Sequence, residues 1–413
     1  MNISLPHSRP KIAINIVSAF LILALLRLLP FNFFTSILIG HDVVIDNKEG
    51  NAINFINYIS VVFFFIITFL KLPTIKARWI ELWPFGFLII IYCVNFFMAP
   101  YVNSSWICYQ FTFILIAAFI HILISGQSGK DYQVVKSTGG LILFIGAIIF
   151  FLAFVCVIMY SKFSIEYIIA EFNDSFLNSL SSFGVMKQYY GYIVGFILLY
   201  SFFVIKNNWL KGVVILLVCL SAFGIRSFVL GMMSIVFFMN IKNPIRLLSI
   251  LLIACFISYL LWDDIIVGLL YDTRFYAYMN AWDIVHKFPY GVGLGGYPTY
   301  TEIYNNDLFA SFFTIDAALN YVPNSPESDI VHVFGSLGLV FGSAHLFIQL
   351  RLIILGLFQQ VKMLPFEKCM FFYFIFITAF GISEDTMFTV SYWIFFGVTS
   401  GIISSVMKRN LHD

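Results

Sequence analysis

The sequence predicts an all-α integral membrane protein with about 12 transmembrane helices. Three observations carry this prediction: 61% of the 413 residues are apolar and 11% are charged, near-uncharged runs recur along the chain, and one long polar loop interrupts them. Runs of about 17 to 25 apolar residues suit helices that cross a hydrocarbon core of about 30 Å. They do not show the alternating ten-residue pattern of an outer-membrane barrel. We therefore expect one polytopic membrane domain over residues 1–413.

The apolar runs define the predicted spans. The first follows Arg9 and Lys11 and has no convincing small-x-small cleavage site, so we interpret it as an uncleaved signal-anchor. The spans are 12–29, 53–70, 84–99, 106–124, 138–159, 187–205, 209–224, 227–241, 245–261, 331–357, 366–382 and 387–407.

The charges between these spans alternate from one side to the other. Lys and Arg collect at alternate connections, as at Lys408 and Arg409, while acidic residues dominate the remaining connections, as at Glu384 and Asp385. Because Lys and Arg near span ends stay in the cytoplasm, both termini are predicted to be cytoplasmic. The long polar loop, residues 262–330 between spans 9 and 10, then faces the periplasm or cell exterior.

The run from Gly212 to Met239 is apolar apart from Arg226. A single helix there would rise about 42 Å and would end the charge alternation. We predict instead a hairpin of two short helices with Arg226 at its turn. A cation at this depth requires an anionic partner or a functional task, and the guanidinium fork suits a phosphate. The competing interpretation is an arginine that extends from the turn to the lipid headgroups.

The long loop carries nine acidic side chains against only Arg274 and Lys287. Asp272 or Thr273 is expected to cap a helix that runs to about Lys287. Arg274 then lies at the positive N-terminal end of this helix, which is a favourable place to meet an anion. The alternative is a surface arginine that pairs with nearby aspartates.

The glycines that follow, in the segment PYGVGLGG at 289–296, have no β-strand before them. They indicate a tight turn and not a dinucleotide loop. Tyr297 is a candidate for stacking on a sugar ring, with interfacial anchoring as its competing role. Within the loop, residues 302–319 have the spacing of an interfacial amphipathic helix that acts as a lid.

The loop ends in the motif SPESD. Ser325 suits an N-cap and Pro326 the first helical position, and this alone explains the motif as the start of the tenth span. The alternative uses Glu327 as a general base at the mouth of a cavity. His332, one turn deeper, is a candidate substrate-binding residue, with a purely structural role as its alternative.

Other chemistry has no sequence support. The six cysteines lie in or beside apolar runs without CxxC spacing, which indicates packing residues. The carboxylates are scattered and no histidine pair has ligand spacing, so we expect no metal and no cofactor. We also expect no nucleic-acid partner.

Three local patterns, together with the late large loop, resemble the O-antigen polymerase and ligase superfamily of bacterial envelope glycosyltransferases. They are SAFGIRSFVLGM around Arg226, the order Arg274, Trp282 and PYGVGLGG, and the re-entry helix that ends in SLGLVFG. The resemblance covers about residues 212–345. It implies a GT-C-like architecture in the bacterial cytoplasmic (inner) membrane and metal-independent transfer of a glycan from undecaprenyl diphosphate.

By this resemblance Arg226 and Arg274 hold the lipid diphosphate. Glu327 and Ser328 stand where ligases usually carry histidine and asparagine, and they are similar to the variant found in repeat-unit polymerases. The expected function is therefore a polymerase of lipid-linked repeat units for O-antigen, capsule or exopolysaccharide. Its expected partners are membrane lipid and a chain-length regulator protein. The alternatives are an O-antigen ligase that transfers glycan to lipid A-core and a transporter or flippase of lipid-linked oligosaccharide.

Overall fold

The structure is a computed structural model that describes residues 19–21, 61–67, 79–125, 187–222, 226–243, 245–249, 252, 256, 259, 273–304, 328–383 and 386–409. In these residues all regular structure is helical. The principal helices are α1 (Trp79–Met98), α2 (Ser104–Ser125), α3 (Lys187–Phe203), α4 (Asn208–Ala222), α5 (Arg226–Asn240), α6 (Thr273–Lys287), α7 (Tyr297–Tyr304), α8 (Asp329–Gln359), α9 (Pro365–Phe380) and α10 (Val390–Arg409).

Within the described ranges, four helical segments are long and apolar enough to cross a membrane, at residues 81–98, 104–125, 329–362 and 390–409. The chain is therefore an all-α membrane protein. Most predicted spans that fall on described residues agree with the helices, as for span 106–124 and helix Ser104–Ser125. Span 331–357 is the exception, because the structure breaks it at Gly338. Spans 12–29, 53–70, 138–159 and 245–261 lie wholly or largely outside the described residues, so the total of about 12 stays a prediction.

The centre of the bundle is α9, whose ring-bearing side chains are almost all buried. Phe376 of α9 lies between Gly195 of α3 and Gly231 of α5, where the missing side chains leave room for its ring. Tyr192 of α3 packs on Phe380, with ring centroids 4.5 Å apart. Near the start of α5, Phe228 packs on Phe376 with ring centroids 5.7 Å apart, so both α3 and α5 begin beside the C-terminal half of α9.

The helix between them, α4, therefore returns the chain to that end. α4 and α5 each have 15 residues, which agrees with the prediction of two short helices in this run. The turn between them lies outside the described residues, so the hairpin stays a prediction. Arg226 is the first residue of α5 and follows the turn. Its side chain lies outside what the structure describes.

The opposite end of the bundle is held by ion pairs from the C-terminus of α10. Arg409 donates two hydrogen bonds to the carboxylate of Glu367, at 2.8 and 2.7 Å. Glu367 is fully buried and also accepts from the backbone N–H of Leu364, at 2.8 Å, which caps α9. Lys408 donates to Glu81 of α1 at 2.8 Å. Two consecutive residues thus join α10 to α9 and to α1.

We predict that Glu367→Gln lowers the free energy of unfolding by about 2 kcal/mol, because it removes a buried carboxylate that neutralises Arg409 and caps a helix. The measurement is thermal unfolding of the purified protein in detergent. The control is Lys287→Gln, which breaks the exposed pair of Lys287 with Asp283 and should change stability by less than about 0.5 kcal/mol. Equal effects of the two changes would contradict the role given to Glu367.

Candidate functional site

The glycine turn after α6 contacts the middle of α8 backbone to backbone. Val292 N–H donates to the carbonyl of Gly335 at 3.0 Å, and Gly293 N–H donates to that of Ser336 at 2.9 Å. A Cβ atom at Gly291 or at Gly338 would overlap with the facing backbone. We call this contact, between residues 289–293 and 335–338, the glycine junction. The glycine spacing, which superficially resembles a nucleotide-binding loop, therefore allows two backbone segments to pack closely.

Gly338 breaks α8 into two arms, 329–337 and 339–359. Its φ of 69° and ψ of −172° are not helical. The arms fold back on each other, because a Cβ atom at Gly342 would contact the side chains of Val333 and Phe334 at 3.3 and 3.0 Å. α8 is therefore a sharp V with its apex at Gly338, and its first arm re-enters the bundle.

The other side of the glycine turn pairs with the connection between α1 and α2. Tyr101 N–H donates to the carbonyl of Val292, and Asn103 N–H donates to that of Leu294, both at 3.0 Å. Asn95 Nδ2 donates across the junction to the carbonyls of Tyr290 and Ser336, at 2.8 and 3.2 Å. The turn is thus held between α1, α2 and α8.

The first arm of α8 begins at Asp329, with Ser328 as its N-cap. Ser328 Oγ accepts from Ile330 N–H at 3.2 Å and donates to the carbonyl of Ile382 at 2.7 Å. The expectation that Ser325 caps this helix is therefore wrong. Contacts with residues more than 50 positions away select Ser328, and the local sequence pattern cannot reveal them.

Asp329 fixes the start of the arm to the turn that follows α9. Its carboxylate accepts from Thr386 N–H at 2.5 Å, from Met387 N–H at 2.6 Å and from Thr386 Oγ1 at 2.6 Å. Its own N–H donates to the carbonyl of Gly381 at 2.8 Å. Gly381 leaves space for this carboxylate, since a Cβ atom there would overlap with Asp329 Oδ2. The sequence offers no signal for this clamp beyond an acid in a first turn.

The end of α9 and the start of the first arm of α8 meet at this clamp, and we call the region the recessed site. Near its start α5 packs on α9 one helical turn before the end of that helix, where Phe228 contacts Phe376 with ring centroids 5.7 Å apart. α6 also begins nearby, because Tyr278 OH lies 3.0 Å from Ser328 Oγ and donates to the carbonyl of Ile382 at 2.6 Å. Tyr278 is one turn after Arg274 on the same face of α6. The two ends of the long loop are therefore brought together.

The region is recessed relative to the glycine junction. The first arm of α8 has nine residues and rises about 13 Å from the clamp at Asp329 to the apex at Gly338. Because this arm folds back along the second arm, the recessed site lies on the inner side of the apex. Such irregular backbone at membrane depth is stable only where protein or a water-filled cavity surrounds it.

The structure describes the predicted site residues to different extents. Arg226 and Arg274 occupy the first and second positions of α5 and α6, but their side chains lie outside the described part of the chain, as does all of Glu327. His332 is buried, and its ring contacts Phe388 and Trp106 with centroids 4.0 and 5.4 Å away. The roles assigned to these residues stay predictions.

Tyr297 begins α7 and is only 1% exposed. It packs in a small apolar cluster with Ala277, Ile284 and Val331, which lies between α6 and the first arm of α8. Its place as described is structural, and the sugar-stacking role stays a prediction. The predicted lid, residues 302–319, lies almost wholly outside the described residues.

A surface cleft of about 460 Å³ lies beside the glycine turn. Trp106 separates it from His332, since the indole packs on Gly295 on one side and contacts the imidazole on the other. The lining carries neutral hydroxyl and amide groups, which suit a hydroxyl-rich ligand. It consists of Tyr101, Val102, Asn103, Ser104, Ser105, Gly295 and Thr299.

These features define a helical membrane protein with a re-entrant helix held by a glycine junction and an acidic clamp. Within the described ranges no group of three or more His, Cys, Asp or Glu side chains is arranged to hold a metal ion. No family model matches the chain, and no curated protein matches it either. The resemblance described from the sequence therefore depends on its local patterns alone.

We predict that Gly338→Ala lowers the free energy of unfolding by about 3 kcal/mol or more, because it forces a side chain into a positive-φ position that faces backbone. Thermal unfolding in detergent measures the loss. The matched control is Gly86→Ala in α1, where nothing lies within 4 Å of the added Cβ atom. That change should be neutral or slightly stabilising, since alanine favours a helix over glycine. Similar melting midpoints for the two variants would refute the junction's steric role.

Proposed function

We propose that the chain is a polymerase of lipid-linked oligosaccharide repeat units on the outer face of the cytoplasmic membrane. It transfers the growing glycan from undecaprenyl diphosphate to an incoming undecaprenyl-diphosphate-linked unit. The observation that carries the proposal is the convergence at the recessed site. There the start of α6, which bears Arg274, meets Ser328, the residue that follows Glu327. The helix that begins with Arg226 packs beside the last turns of α9 through Phe228 and Phe376.

This convergence favours a diphosphate. Each helix N-terminus carries roughly half a positive charge, and α6 and the first arm of α8 begin beside each other at the recessed site. In this proposal the guanidinium groups of Arg226 and Arg274 add full charges. Asp329 is held by hydrogen bonds from Thr386 and Met387, which fix its position but do not neutralise a carboxylate. Fixed positive charge of this kind stabilises a leaving diphosphate without a metal ion.

The proposed reaction is a displacement at the anomeric carbon of the donor sugar. A hydroxyl oxygen of the incoming unit forms the new C–O bond, and the C–O bond to undecaprenyl diphosphate breaks. Glu327 takes the hydroxyl proton, and Arg226 and Arg274 neutralise the charge that develops on the departing diphosphate. The recessed position suits a lipid-borne diphosphate, because the polyprenyl chain stays in the bilayer while the glycan extends outward.

The cleft beside the glycine turn supports the same proposal. Its neutral hydroxyl and amide lining is suited to glycan hydroxyls and not to phosphate charge. Trp106 lies between Gly295, which lines this cleft, and His332 of the first arm of α8. A glycan seated in the cleft would therefore be separated from this arm by one indole ring.

Disruption of the gene tests the function directly. We expect loss of long surface polysaccharide while single repeat units remain attached, because synthesis and attachment of units would continue without polymerisation. Gel analysis of surface polysaccharide measures this. Loss of every attached unit would instead identify the ligase alternative, loss of outward-facing lipid-linked units would identify a flippase, and unchanged polymer would exclude all three.

For the site, we predict that Arg226→Ala and Arg274→Ala each reduce polymer formation by about 10²-fold or more at normal protein levels, since each removes charge stabilisation from the leaving diphosphate. Lysine at either position should restore only part of the activity, because it keeps the charge and loses the bidentate fork. The control is Arg246→Ala, at an exposed position, which should leave polymer length unchanged. Full activity of either alanine variant would disprove its diphosphate role.

A further inference from the structure

The V formed by α8 encloses buried polar atoms that no protein group satisfies. Among the residues that the structure describes, Asn95 Oδ1, Ser336 Oγ, His345 Nε2 and Gln349 Nε2 have no hydrogen-bond partner. All four side chains are at most 2% exposed. Asn95 and Ser336 lie at the glycine junction near the apex, and His345 and Gln349 lie one turn apart on the second arm.

Further polar groups connect these two levels. Tyr92 precedes Asn95 by one turn of α1, and its hydroxyl lies 3.3 Å from His345 Nδ1. Tyr392 of α10 donates to Gln349 Oε1 at 2.9 Å and lies 3.3 Å from Thr378 Oγ1 of α9. Polar groups from α1, α8, α9 and α10 thus face one another inside the bundle. We call the set that runs from Asn95 and Ser336 through Tyr92 and His345 to Gln349 and Tyr392 the polar strip.

The arms of the V bring this polar strip close to the recessed site. Phe388 contacts the rings of both His332 on the first arm and His345 on the second, with centroids 4.0 and 6.0 Å away. Gln349 lies one turn beyond His345, away from the apex. Its partner Tyr392 belongs to the helix that follows the turn bound by Asp329. The strip therefore extends from the junction to about the depth of that clamp.

Leaving these atoms without partners is energetically unfavourable. Each buried donor or acceptor that lacks a partner costs about 1–3 kcal/mol, and a surrounding bilayer offers no solvent in compensation. Three of these groups also differ in their hydrogen-bonding capacity. Asn95 Oδ1 only accepts, Gln349 Nε2 only donates, and the Ser336 hydroxyl does both. A small molecule that both donates and accepts can satisfy all of them, and water has these properties.

We propose that a chain of bound water molecules lies between α1 and the two arms of α8, reaching from Asn95 at the glycine junction to Gln349. His345 is in contact with this water through Nε2, while Tyr92 holds Nδ1. The chain hydrates the inner side of the re-entrant arm, and it connects a buried imidazole with the junction. The water site does not depend on the proposed polymerase activity.

X-ray hydroxyl-radical labelling of the purified protein in lipid nanodiscs tests this proposal, because radicals formed from bound water modify the side chains beside it. We expect Tyr92 and Tyr392 to be labelled about tenfold faster than Tyr373. Tyr373 is equally buried in the same bundle, but its hydroxyl donates to the backbone carbonyl of Tyr192 at 3.2 Å. Equal labelling of the three tyrosines would show a dry interior and would overturn the proposal.

A variant locates the water within the strip. Gln349→Leu removes a donor from the proposed site, so labelling of Tyr392 should fall several-fold while that of Tyr373 stays constant as an internal standard. Unchanged labelling of Tyr392 would overturn the assignment of Gln349. A rise at Tyr373 would show that the variant is misfolded, and the comparison of tyrosines in the unmodified protein would then decide the proposal by itself.

Discussion

The close approach of two backbone segments at the glycine junction determines the rest of this structure. Val292 and Gly293 donate to the carbonyls of residues 335 and 336, a contact that any side chain at Gly291 or Gly338 would prevent. The junction turns α8 back on itself, so that one arm crosses the bundle and the other re-enters it. It also ties α6 to the connection between α1 and α2 through Tyr101. Because glycine has no Cβ atom, these positions allow distant parts of the chain to come into contact.

The re-entrant arm creates a second requirement, because its first N–H groups are buried away from solvent. Ser328 and Asp329 meet this requirement together. Ser328 caps the arm and donates to Ile382, and the Asp329 carboxylate receives three hydrogen bonds from the turn after α9. The same clamp places the start of the arm beside the first turns of α6, through Ser328 and Tyr278. The two helix starts are therefore close together, and this supports the proposal of a site for an anionic lipid headgroup.

The two ends of the bundle are stabilised by different interactions. At the far end Lys408 and Arg409 pair with Glu81 and Glu367, so charge joins α10 to its neighbours where the helices are only partly buried. Toward the junction the contacts are backbone hydrogen bonds and neutral side chains, including the polar strip at His345 and Gln349. An ion-paired base with a polar interior nearer the junction supports the proposal that a lipid-linked substrate binds from that side.

The sequence by itself determined the class of protein, most described helix bounds and the division of the run 212–239 into two short helices, because hydrophobic run length and charge alternation are local properties. It also indicated the importance of the glycines at 291–296 and of the re-entry turn near Gly338. It misplaced the cap of α8 at Ser325, and it gave Asp329 no role beyond the helix dipole. Only the tertiary structure decided these points, since the partners of Ser328 and Asp329 lie more than 50 residues away. The sequence also did not reveal the polar strip around His345, because packing decides which polar atoms are buried without a hydrogen-bond partner.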